Sequence, residues 1–173
     1  MDKIQIEVDE RLYLIRIVGG VEDFIYFELG ISWDSSNNLF IYWRYSGEEY
    51  EYGYIPTHYI QDASLYQWYT LHIKKKVGEE TYMFYVNGEL KATCHQSDYN
   101  PYDGYGAAEA YTNDCCGYPP VTTMKAHFKD LKFGYISRGV YRLQYWNNVS
   151  YCVDPPYELI PISSYEFRVM PGG

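Results

Sequence analysis

Residues 68 to 93, WYTLHIKKKVGEETYMFYVNGELKAT, leave the chain few folds to choose from. Leu71 and Ile73 alternate with Trp68, Thr70, His72 and Lys74, the period of two that gives an extended strand one apolar face. A Gly/Glu turn over residues 77–80 follows, and then a second strand, Thr81–Val86. Asn87-Gly88 comes next, the strongest short signal for a two-residue hairpin, because both positions accept a positive φ. The expected result is three antiparallel strands in a row.

The same alternation recurs on either side. Residues 3–8 and 11–18 read as a first hairpin joined by Asp9-Glu10, with Gly19-Gly20 ending it. Over 24–33, Ile25, Phe27, Leu29, Ile31 and Trp33 share one face, while Tyr26, Glu28, Gly30 and Ser32 share the other. The polar run 34–38 (DSSNN) is a turn of the kind that joins hairpin strands. After it, Leu39, Ile41, Trp43 and Tyr45 alternate with Phe40, Tyr42 and Arg44. A further strand over 50–55 is stopped by Pro56, and 105–112 resumes strand pattern after an irregular stretch. In 121–133 the apolar parity changes from even (Met124, Ala126, Phe128) to odd (Leu131, Phe133), which implies a β-bulge or kink near Lys129-Asp130. Strands over 140–146, 149–153 and 165–170 complete the chain, and no segment has helical periodicity. About a dozen short strands predict an all-β protein, a two-sheet antiparallel β-sandwich formed as one domain over 1–173.

The formal net charge is −9, and the only basic cluster is Lys74-Lys75-Lys76, which argues against nucleic acid and anionic membrane surfaces as partners. No apolar run is long enough to predict a membrane span, and MDKIQIEV lacks the apolar core of a signal peptide. The expected location is therefore cytoplasmic, or extracellular if a leader has been removed. Cys94, Cys115, Cys116 and Cys152 form no CxxC and no zinc spacing. Two readings stand: two disulfides in which Cys94 and Cys152 each pair with one of the adjacent cysteines, or four thiols. The 23 tyrosines suit half-buried pleated surfaces. They serve either packing and solubility or stacking against sugar rings or peptide.

With its central stretch in place, the sequence resembles the concanavalin A-like lectin/glucanase superfamily, and laminin-G-like modules in particular. The resemblance is carried by Trp68, Leu71 and Ile73, by the strand ending Tyr85-Val86-Asn87-Gly88-Glu89-Leu90, and by the later MKAHFKDLKF segment at 124–133. It implies a jelly-roll β-sandwich whose concave face binds carbohydrate, with calcium in some members and paired catalytic glutamates in others.

Glu28 and Glu109 are the candidate catalytic pair, each in mid-strand opposite an apolar or small-residue face. A retaining glycosidase needs its two carboxylates roughly 5 Å apart, and an inverting one leaves a wider gap for water. The alternative is that both are ordinary solvent-facing strand glutamates. Tyr26, Trp68, Tyr105 and Tyr111 are the candidate ligand-binding aromatics. A weaker reading, a glutamic-type peptidase centred on Glu109, needs a partner glutamine, for which Gln61 and Gln67 are available. Asp98, Asn100 and Asp103, with Asn113 and Asp114, could supply oxygens to calcium, although such residues are also ordinary loop chemistry. Otherwise no cofactor is implied. The favoured function is a carbohydrate-binding module without catalysis, followed by a glycoside hydrolase.

Overall fold

The structure is a computed structural model that describes residues 4–8, 14–22, 25–34, 36, 38–45, 55–75, 81–95, 105–111, 126–129, 132–138, 140–145, 157–163 and 166–172. Among them the chain forms strands and turns and no helix. The strands are β1 (Ile4–Val8), β2 (Leu14–Glu22), β3 (Ile25–Trp33), β4 (Leu39–Tyr45), β5 (His58–Asp62), β6 (Tyr69–Lys75) and β7 (Thr81–Val86). They continue as β8 (Glu89–His95), β9 (Tyr105–Tyr111), β10 (Ala126–Lys129), β11 (Lys132–Ser137), β12 (Val140–Tyr145), β13 (Tyr157–Ser163) and β14 (Glu166–Pro171).

Among the described residues every strand pairing is antiparallel. One sheet has the order β13-β14-β10-β1-β6-β7-β8, a second has β5-β4-β3-β2-β9, and β11 and β12 form a separate hairpin. The expected run β6-β7-β8 is present, and Asn87 and Gly88 turn it at φ 52° and 82°. Asn87 also closes the ladder. Its N–H donates to the Thr70 carbonyl at 2.8 Å, and its Oδ1 accepts from the Thr70 N–H at 2.9 Å. The β3–β4 hairpin is held by Asp34, whose Oδ1 accepts the N–H groups of Ser36 and Asn38 at 2.8 Å each. Those bonds, led by that of Asn38, hold the Asp34 carboxyl below its ordinary value.

Three sequence expectations need correction. β1 and β2 are not a hairpin: β1 lies between β10 and β6, whereas β2 lies between β3 and β9 in the other sheet. Register sets Ile6 opposite Tyr69 in one sheet and Ile17 opposite Leu29 in the other. β2 also runs through Gly19-Gly20 to Glu22, with a register shift after Gly20. Finally, the segment expected as one long strand over 121–133 holds two: β10 belongs to the seven-stranded sheet and β11 to the hairpin, so the change of parity accompanies a change of sheet. β5 and β13 are additional strands, and β13 holds Pro161 at a sheet edge, where its missing N–H does not interrupt a central ladder. The strands expected over 50–55 and 149–153 fall largely or wholly outside the described residues.

The core draws on both large sheets. Phe27, Leu29, Ile31, Ile41 and Trp43 come from β3 and β4, and Leu71, Ile73, Phe84, Val86 and Phe128 from the seven-stranded sheet. Phe27 stacks on Tyr82 with ring centroids 3.6 Å apart, and Trp43 stacks on Phe84 at 5.0 Å. Burial of each such ring stabilises the fold by roughly 1.5–3 kcal/mol. Cys94 is buried in the same core. No disulfide is seen among the described residues, and Cys115, Cys116 and Cys152 lie outside them. Among the described residues no helix is long and apolar enough to cross a membrane.

Candidate functional site

Hairpin register decides what shares a face with Glu28. The five-residue connection 34–38 sets Trp33 opposite Leu39, and counting back from there sets Gly30 opposite Tyr42 and Glu28 opposite Arg44. Because opposed residues share a face, the apolar partners Leu29–Trp43 and Ile31–Ile41 look into the core, and the Glu28 set occupies the reverse face.

Glu28 is not a solvent-facing strand glutamate. It is completely buried, as is Tyr42. The Tyr42 hydroxyl donates to Glu28 Oε2 at 3.1 Å, and Arg44 Nη1 stands 3.9 Å from the same oxygen. Gly30, directly opposite Tyr42 and two residues along β3 from Glu28, puts no side chain in the way of the Tyr42 ring. Arg44 is fixed further: its Nε donates to Thr57 Oγ1 at 2.7 Å, and its guanidinium carbon lies 5.1 Å from the Tyr42 ring centre. A carboxylate in a dry site costs several kcal/mol unless paired and hydrogen-bonded, and these partners meet that requirement.

Register continues across the sheet. Glu109 stands opposite Arg16, Arg16 opposite Gly30, Gly30 opposite Tyr42, and Tyr42 opposite Tyr59. The next row out reads Tyr111, Leu14, Ser32, Phe40, Asp62, and on the other side Tyr105 and Tyr26 flank Gly20. The sheet therefore brings Glu28, Glu109, Tyr26, Tyr105 and Tyr111 to one face. It separates Glu28 from Glu109 by one intervening strand and two residues along it, which places their Cα atoms about 12 Å apart. Glu28 Oε2 engages β4, on the side away from β9.

Trp68 is not part of that face. It precedes β6 in the seven-stranded sheet, and its ring meets the His127 ring at 4.7 Å. His127 Nε2 donates to Glu166 Oε1 at 2.6 Å, joining β10 to β14. Gln61 is in β5 opposite Ile41, so it sits on the reverse side of the sheet from Glu109, and Gln67 is an exposed residue between β5 and β6. Neither supports the pairing that a Glu/Gln site requires. Asp98, Asn100, Asp103, Asn113 and Asp114 lie outside the described residues. Among the described residues no group of three or more His, Cys, Asp or Glu side chains could hold a metal ion.

One partner of Glu28 follows from the sequence. A turn at 34–38 flanked by Trp33 and Leu39 makes opposed residues sum to 72, which selects Arg44 for Glu28. His127 and Glu166, 39 residues apart, carried no such signal. Neither a protein-family model nor a curated protein matches the chain.

Proposed function

We propose that this protein is a carbohydrate-binding module without catalysis, built as a two-sheet antiparallel β-sandwich of the concanavalin A-like, jelly-roll type, with its site on the reverse face of the five-stranded sheet. The observation that carries the reading is the cluster of buried Glu28 and Tyr42 with half-buried Arg44, on a face that register also supplies with Tyr26, Tyr105, Tyr111, Arg16 and Glu109. Carbohydrate recognition uses flat apolar rings for the sugar's C–H face and a few fixed charged groups for its hydroxyls. A guanidinium held by Thr57 and backed by Glu28 is such a group. The stacking of Phe27 on Tyr82 and Trp43 on Phe84 supports the sandwich reading, since rings of the two sheets meet across one core.

Binding is favoured over hydrolysis by the burial of Glu28. A catalytic carboxylate must touch its substrate, and this one is spent holding β4 side chains. In this reading Glu28 is a positioning residue, and Arg44 and the aromatics meet the ligand.

The test is a neutral-glycan array with the wild-type protein, run with calcium and with a chelator, beside an assay for release of reducing ends. Glycan binding without release of reducing ends supports the module. Turnover abolished by both Glu28→Gln and Glu109→Gln would establish the hydrolase instead. Binding lost on chelation would add a calcium requirement, for which Asp98, Asn100 and Asp103 are the residues to vary.

A further inference from the structure

The reverse face of the five-stranded sheet is closed at its centre and open at one margin. Glu28 and Tyr42 are fully buried, Arg44 and Phe40 are partly covered, and Tyr59 on the edge strand β5 is 61% exposed. Among the described residues of β3, β4 and β5 on this face, the exposed ones are Tyr59 and Asp62, both on β5.

That margin is shaped by a bulge. Tyr42 pairs with Tyr59 and Ile41 with Gln61, so Ile60 is an extra residue in β5, and it packs against the core. In a regular strand, residues three apart point to opposite faces. The extra residue brings Tyr59 and Asp62 to the same face, opposite Tyr42 and Phe40 respectively. There the Tyr59 hydroxyl donates to Asp62 Oδ1 at 3.0 Å, and the Tyr59 ring stands 6.1 Å from the Phe40 ring. The Phe40 ring in turn meets Tyr42 edge-on at 6.2 Å. An exposed ring is thus held at its hydroxyl end by Asp62 and flanked by Phe40, with a carboxylate beside it.

We infer that Tyr59 and Asp62 form the entry subsite for a sugar ring on this face. The sugar's apolar side stacks on Tyr59, and a hydroxyl donates to the Asp62 carboxylate. This rests on the carbohydrate reading above and adds to it the place where the ligand is first held. The chemistry selects a neutral sugar. The carboxylate offers acceptors only, which suits a polyol rich in O–H donors, and a chain of net charge −9 repels polyanionic glycans. Tyr59 loses little freedom on binding because both its ring and its hydroxyl are already placed, which is the advantage of a preorganised platform.

The experiment is calorimetric titration of the wild-type protein and its Tyr59→Ala, Tyr59→Phe and Trp68→Ala variants with laminarihexaose, cellohexaose and xylohexaose, after thermal melts confirm folding. Because Tyr59 is exposed, the melts should barely move. The expected result is a roughly tenfold loss of affinity in Tyr59→Ala, a loss of about threefold or less in Tyr59→Phe, which keeps the ring, and no change in Trp68→Ala. Wild-type binding that Tyr59→Ala leaves intact while Arg44→Ala weakens it would overturn the subsite and spare the carbohydrate reading. If the wild type binds none of the three sugars nor any arrayed neutral glycan, both fall. Tyr59-dependent binding of a proline-rich peptide in place of sugar would likewise overturn the assignment.

Discussion

The two large sheets each carry an acid–base contact on the face turned away from the core, and the two contacts are built differently. In the five-stranded sheet, Glu28 is fully buried and meets Tyr42 and Arg44 on the neighbouring strand. In the seven-stranded sheet, Glu166 meets His127 at 2.6 Å with both side chains partly open to solvent, and Trp68 leans on the imidazole. Burial, more than distance, sets what such a contact is worth. Water can replace a lost partner at Glu166, whereas nothing replaces one at Glu28 except the groups packed around it. The five-stranded sheet is thereby committed to one arrangement of Arg44 and Tyr42, and a committed arrangement is what a binding face needs.

The sharpest way to break this contrast is to remove each acid in turn. Glu28→Ala should cost about 2–4 kcal/mol in urea unfolding, since it leaves the buried Tyr42 hydroxyl without this acceptor and opens a void. Glu28→Gln should cost less, because it keeps an acceptor for that hydroxyl. Glu166→Gln should cost about 0.5–1 kcal/mol in the same assay. Equal losses at the two positions would remove the distinction between the sheets.

The turns offer a finer comparison. Gly88→Ala meets no atom within 4 Å, so its cost comes only from holding alanine at φ +82°, about 1–2 kcal/mol by thermal melts. Asp34→Asn isolates the charge in the other turn. The Asp34 carboxyl is held below its ordinary 3.8, so its contribution is complete above that pH and is lost as pH falls through the lowered value. The gap in melting temperature between wild type and D34N should therefore be present at neutral pH and close in strong acid.

Much of this contrast was legible in the residues, though unevenly. The strands around Asn87-Gly88 could be read because a two-residue turn and strict alternation leave one register. The Glu28–Arg44 row follows from the DSSNN turn by the same logic. The change of parity after Phe128 has two physical solutions, a bulge or a change of sheet, and local pattern does not choose between them. The strand β5 was hidden because HYIQD follows Pro56 and carries a bulge at Ile60, which erases the alternation by which a strand is recognised. β13 was hidden by Pro161. As for the site, alternation put Tyr26, Glu28, Tyr105, Glu109 and Tyr111 away from the apolar faces, and pairing of β2 with both β3 and β9 joined them on one sheet. Alternation could not tell that Trp68 belongs to the other sheet, because that depends on which distant strands pair.

Hydrogen-exchange footprinting with the tightest-binding neutral oligosaccharide distinguishes most directly between the two sheets as the binding face. Binding at the five-stranded sheet should protect amides in β4 and β5, around Arg44, Tyr59 and Asp62, and leave the amides of β10 and β14 unchanged. Protection centred on His127 and Glu166, with β4 and β5 unaffected, would contradict it and move the binding face to the seven-stranded sheet.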